Sequence, residues 1–248
     1  MNQDSMVIGK GQRICMKLSD ERAQKYLRFG FNIRALQIKE SWFQLNNLLE
    51  NDGGNNRSPY ETTQTNIYLN SYYLNLLGAV DNLAWVLQHE FNLIEGATEA
   101  NRKRNKITIF GKDFVAKLSA LDSNLATELE PYKEWFEIVK EFRDPAAHRI
   151  PLYCPPGIVT DKHAESYKQA SEKFAAQDYS VDRTAYMEAM HEVSMVGEFK
   201  PVFVSFSERA GDNIFLLEKT LSEDYNPFWK LANTALTGVE RNLIGHSS

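Results

Sequence analysis

Cysteine is nearly absent: Cys15 and Cys154 are the only two in 248 residues. Two thiols cannot build a disulfide framework, and neither stands in a C-x-x-C pair of the kind that binds zinc or runs redox chemistry. Basic charge is also in deficit. Lys and Arg number 28 against 33 Asp and Glu, a net charge of −5 with a pI near 5.6. No overall positive field draws such a chain onto nucleic acid or an anionic membrane, so any RNA or DNA contact has to be local. No stretch approaches the ~18 uninterrupted apolar residues of a membrane span, and the first twenty residues lack the apolar core of a signal peptide. The expectation is a soluble, cytoplasmic protein.

Several catalytic signatures are missing as well. "GKGQR" lacks the spacing of a phosphate-binding P-loop, and no G-x-S-x-G elbow occurs. His163 and Glu165 form an H-x-E without the P-C-x-x-C partner of zinc deaminases. His89-Glu90 and His191-Glu192 lack the second histidine of an HExxH zinc protease. No metal and no cofactor are expected.

What remains is a composition ordinary for a globular protein, 43% hydrophobic and 25% charged, carrying mostly helical periodicity. Ala23, Leu27, Phe31, Leu36, Phe43 and Leu48 form an imperfect stripe from Ser19 to Glu50, with Ser19 or Asp20 as N-cap and Gly30 at a possible bend. Leu69, Tyr73, Leu76, Val80, Leu83, Leu87 and Phe91 mark a second long helix over 65–94, stopped at Gly96. Phe114, Leu118, Leu121 and Leu125 mark a third. A fourth opens with Pro131 in its first turn and is expected to bury Trp135, Ile138, Val139 and Phe142. "IPLYCPPG" is too rich in proline for helix, and "FKPVFVSF" reads as a strand or extended segment held to an edge by Pro201. A last helix starts with Asn226 as cap and Pro227 in its first position. The fold class expected is mainly α: an antiparallel helical bundle over 19–153, and an α-rich C-terminal extension over 154–248 containing a short strand segment.

The stretch with chemical promise is "EFRDPAAHRIP". Asp144 precedes a proline, which disfavours helical backbone, so the fourth helix is expected to end near Arg143 and a new turn to begin at Pro145. Side chains five positions apart in an unbroken helix point about 140° apart; a break would let Arg143 and His148 face one cavity. An arginine offers a planar fork for phosphate oxygens and a histidine titrates near neutral pH, which are the groups that RNA cleavage by its own 2′-hydroxyl requires. The plainer alternative is that Arg143 pairs with Glu141 or Asp144 and His148 packs at the helix end.

"RDPAAH" resembles the R-x4-6-H motif of the HEPN superfamily (higher eukaryotes and prokaryotes nucleotide-binding), across about residues 60–153. Pro145 and the long C-terminal half depart from that pattern. The resemblance implies a metal-independent endoribonuclease of toxin–antitoxin or phage-defence type, acting as a dimer with a composite site. Arg143 would then contact phosphate, His148 would serve acid/base chemistry, and Asp144 would orient them. A non-catalytic helical module binding a protein or nucleotide partner is the alternative.

Further residues join the candidate site. Asp81 and Asn82 interrupt the apolar run "LLGAVDNLAWVL", and a carboxylate in such a run needs a partner; Asp81 is expected within reach of Arg143 or His148, or else on the helix's solvent face. Arg102, Lys103 and Arg104 in "NRKRNK", with Arg149, are candidate RNA-phosphate contacts.

Overall fold

A computed structural model of the chain describes residues 2–50, 56–98, 107–148, 150–207 and 211–245. The fold is mainly α with one short two-stranded sheet, as the periodicity indicates. The helices are α1 (Gln3–Cys15), α2 (Glu21–Lys25), a π-helical segment (Tyr26–Phe31), α3 (Asn32–Glu50), α4 (Pro59–Phe91), α5 (Lys112–Leu121), α6 (Ser123–Leu129), α7 (Lys133–His148), α8 (Ala164–Ala175), α9 (Arg183–Ser194) and α10 (Leu217–Gly245). Strands β1 (Val202–Ser207) and β2 (Gly211–Leu216) pair antiparallel. No helix among the described residues is long and apolar enough to cross a membrane.

Asp20 is the cap of α2, its side chain accepting from the backbone N–H groups of Arg22 and Ala23. The stripe then follows the expectation through Ala23, Leu27 and Phe31, all fully buried. Beyond that it departs: Ala35, Ile38 and Leu45 are buried, whereas Leu36 and Phe43 are exposed. Leu36 and Phe43 lie five and twelve positions past Phe31, about 140° and about 120° off its face on an α-helix. The π-helical turn acts earlier: it absorbs the drift of about 40° per four-residue step and keeps Leu27 and Phe31 in line with Ala23. Gly30 sits inside this turn, where a Cβ would lie 2.7 Å from the Asn82 side chain.

Two compact units are present. The first comprises Met1–Trp42, Asn70–Arg149 and Leu221–Ser248; the second comprises Phe43–Leu69 and Ile150–Thr220. The bundle expected over 19–153 and the extension expected over 154–248 each contribute segments to both. The core of the first unit is built from Leu76, Val80, Leu83 and Leu87 of α4, Phe114 and Leu118 of α5, Val139 and Phe142 of α7, and Phe228, Trp229 and Leu236 of α10.

In the second unit the proline-rich segment is extended, as expected, with Tyr153 bridging Val204 and Ile158 bridging Glu198. Asn66 holds it through both amide atoms: the Cys154 N–H donates to Oδ1 at 2.6 Å and Nδ2 donates to the Cys154 carbonyl at 3.2 Å. Burial pushes the Cys154 thiol up to about 11, which leaves it protonated and inert near neutral pH.

Two proline-based boundaries are corrected. Pro227 does not start the last helix; it lies inside α10, which begins at Leu217. A proline inside a helix costs about 3 kcal/mol, but Leu221 and Asp224 before it and Phe228 and Trp229 after it are all buried, and each large apolar side chain recovers roughly 2 kcal/mol. Strand β2 and helix α1 are not among the expected elements, although α1 buries Val7, Ile8, Gly11, Ile14 and Cys15 at helical spacing.

Close approach of α10 to α6 depends on Gly238, where a Cβ would overlap the Leu125 side chain, itself fully buried. Alanine improves helix propensity by about 1 kcal/mol, while overfilling a packed core costs roughly 1–3 kcal/mol. Gly238→Ala is therefore expected to lower stability by about 1 kcal/mol in urea denaturation. An unchanged or higher midpoint would show that Leu125 moves aside freely.

Candidate functional site

Helix α7 positions the motif. Its inward face, Phe136, Val139 and Phe142, is buried; Phe136 meets Phe110 at 5.1 Å between ring centroids and Phe142 meets Tyr73 at 4.9 Å. Trp135 is half-buried, and its Nε1–H donates to Asp224 Oδ1 at 3.0 Å. Ile138, expected in the core, is 51% exposed. It lies on the outer face, in an open depression of about 710 Å³ edged by Glu130, Glu134, Glu137 and Glu141.

The expected break after Arg143 is absent. Helix α7 continues through Pro145 to His148, the packing of Val139 and Phe142 holding the turn that Pro145 weakens. Backbone positions 143 and 148 thus lie about 140° apart around one axis and about 7.5 Å along it. The side chains of Pro145 and His148 lie outside the described residues.

Arg143 opens onto a cleft of about 250 Å³. Leu77 and Asp81 supply its α4 wall, Thr108 and Phe110 enter from the segment before α5, and Phe136, Glu137, Lys140 and Asp144 join Arg143 from α7. Arg143 Nη1 donates to Asp144 Oδ1 at 3.1 Å, so the plainer pairing with an acidic neighbour does occur. It does not seal the guanidinium: the two side chains are 30% and 47% exposed. Among the described residues nothing accepts from the buried Arg143 Nε, a state in which a donor gains by meeting an acceptor. Lys140 reaches Glu137 at 3.5 Å, an exposed pair worth little in itself.

Asp81 is half-buried and shares this cleft with Arg143. Asn82, one position on, turns elsewhere: Arg34 Nε donates to its Oδ1 at 3.2 Å, while Arg34 Nη1 donates to Asn75 Oδ1 at 2.9 Å. Successive helix positions differ by about 100°, which separates the two neighbours. Arg102, Lys103, Arg104 and Arg149 lie outside the described residues.

The sequence reading missed Phe136 and Lys140 as site residues, although both sit on the Arg143 face at helical spacing, seven and three positions earlier. Thr108 and Phe110 lie in the short segment before α5, which carries no helical periodicity to single them out. Asp224 was missed altogether. Burial raises its carboxyl to about 7, against the lowering effect of hydrogen bonds from the Tyr73 hydroxyl at 3.0 Å and from Trp135. His163, half of the H-x-E pair, closes a capping box with Thr160.

Compared with family models, curated proteins and solved structures, the chain matches none. The resemblance to HEPN proteins accordingly rests on Arg143 to His148 and their helical setting.

Proposed function

We propose that this chain is a HEPN-like, metal-independent endoribonuclease acting in the cytoplasm as a homodimer, of the kind paired with an antitoxin or used in phage defence. The observation that carries this reading is the Arg143 cleft: a guanidinium steadied by Asp144 and open to solvent, whose buried Nε–H meets no acceptor among the described residues. In the reaction, His148 takes the proton of the ribose 2′-hydroxyl and that oxygen attacks phosphorus. The bond to the 5′-oxygen breaks and a proton is returned to it, leaving a 2′,3′-cyclic phosphate and a free 5′-hydroxyl. Arg143 compensates the charge that builds on the phosphate oxygens. Because one helix turns positions 143 and 148 apart, the reading assigns the histidine of each site to the second protomer.

Pure protein incubated with RNA and excess chelator is expected to yield fragments ending in 2′,3′-cyclic phosphate. Arg143→Ala and His148→Ala are each expected to lose this activity, and cleavage unchanged in either variant refutes the assignment. A second reading, a non-catalytic module binding a protein or nucleotide, is favoured by the unbroken α7 and by Glu134, Glu137 and Glu141 along it, which repel a polyanion. Absence of cleavage together with stable retention of a partner would decide for it.

A further inference from the structure

The Arg143 cleft holds more than a phosphate contact. About 250 Å³ falls just under the roughly 300–1,000 Å³ of pockets for drug-sized ligands, room for one nucleotide unit and not for a longer strand. Phe110 is half-buried and braced by the buried Phe136 ring behind it. A partly exposed ring held rigid is a surface on which a nucleobase stacks. The three carboxylates of the cleft are not equivalent. Asp144 is engaged by Arg143 and Glu137 by Lys140, both on α7, while Asp81 stands on the α4 wall. Asp81 is engaged as well, and a carboxylate, with about four acceptor sites, can be shared among several donors.

We infer that the cleft is a subsite for a single guanine nucleotide, with the base on Phe110, its N1–H and N2–H groups on the Asp81 carboxylate, and its phosphate on Arg143. The choice of base follows from donor patterns. Guanine alone presents two adjacent donors on its pairing edge. Adenine and cytosine present one donor beside an acceptor lone pair, and uracil flanks its single donor with two carbonyls, so each sets lone pairs against the carboxylate. Thr108 adds a hydroxyl able to donate to a base carbonyl. This subsite deepens the endoribonuclease reading and rests on it for the identity of the strand, since the same chemistry suits a free guanine nucleotide or a guanosine within RNA.

Calorimetric titration of the full chain with GMP, AMP, CMP, UMP and xanthosine monophosphate tests it. GMP is expected to bind roughly tenfold or more tighter than AMP, the discrimination typical of a bidentate contact. Asp81→Asn should reduce GMP to the level of AMP and raise the affinity for xanthosine monophosphate about tenfold, because the amide donates to the carbonyl that replaces the guanine amino group. A merely structural Asp81 would not produce that exchange. Phe110→Leu, which keeps an apolar side chain against Phe136, should weaken every nucleotide. Equal affinity for GMP and AMP, no binding of any nucleotide at millimolar concentration, or no gain for xanthosine monophosphate would overturn the inference. Mapping cleavage in RNA separates the sources: cuts beside guanosine that lose this preference in Asp81→Asn place the base within the strand. GMP binding with the Asp81→Asn exchange, but without RNA cleavage, upholds the subsite for the free nucleotide and refutes the nuclease. Cleavage without guanine selection refutes the subsite alone.

Discussion

Arg143→Ala and His148→Ala proteins, each inactive alone, are expected to recover about a quarter of wild-type RNA cleavage when mixed and allowed to exchange subunits. The expectation comes from α7 being unbroken to His148. With positions 143 and 148 facing about 140° apart, the two groups meet on one phosphodiester when each site draws its arginine from one protomer and its histidine from the other. Random exchange makes about half of the dimers mixed, and a mixed dimer carries one site with both groups intact and one with neither, hence about one quarter. Each single variant should lose roughly 100-fold or more, the usual scale for a proton-transfer group or a charge-stabilising donor. Two dead variants that stay dead on mixing would place both groups in one protomer. Two variants as active as the wild type would remove the nuclease reading altogether.

The sequence pattern and the structure agree where burial decides and part where local backbone rules meet tertiary packing. The α4 stripe was legible because each of its positions from Leu69 to Leu87 is buried; from Leu83 to Gln88 the burial extends to every side of the helix, which periodicity does not reveal. The rule that proline marks a helix boundary failed at Pro145 and Pro227 for one reason: buried apolar side chains, Val139 and Phe142 before the first and Leu221, Phe228 and Trp229 around the second, outweigh one lost hydrogen bond. The stripe failed in α3 because Leu36 and Phe43 are hydrophobic yet lie about 140° and about 120° off the Phe31 face, where the helix meets solvent. At the candidate site, Arg143 was legible from its spacing to His148 across an Asp-Pro step, and Asp81 because it interrupts an apolar run. Phe136 was not, because an aromatic residue that lines a cleft has the same helical spacing and hydrophobicity as one that fills a core; Phe110, in a turn before α5, has no periodic pattern to place it.

Raising the pH from about 4 to about 7 is expected to destabilise the first unit through Asp224. This carboxyl is 3% exposed, and burial raises its pKa from 3.8 to about 7. For an acid, a raised folded-state pKa means that folding favours the protonated form. The stability is therefore fully present below about pH 4, falls as the unfolded chain ionises more readily than the folded one, and reaches its floor above about pH 7, a loss of at most roughly 4 kcal/mol. Glu198, held down at about 2 by the ammonium groups of Lys162 and Lys200, titrates well below this window. Asp224→Asn separates the effect from the histidines, which both proteins share. Its Oδ1 can still accept from Trp135 and its amide can donate to the Tyr73 oxygen, so the junction of α4, α7 and α10 remains hydrogen-bonded. The variant should match the wild type near pH 4 and exceed it at pH 8 by a few kcal/mol in urea unfolding. Parallel stability curves across that range would mean that Asp224 is ionised in the folded protein, and that the Tyr73 and Trp135 donors outweigh its burial.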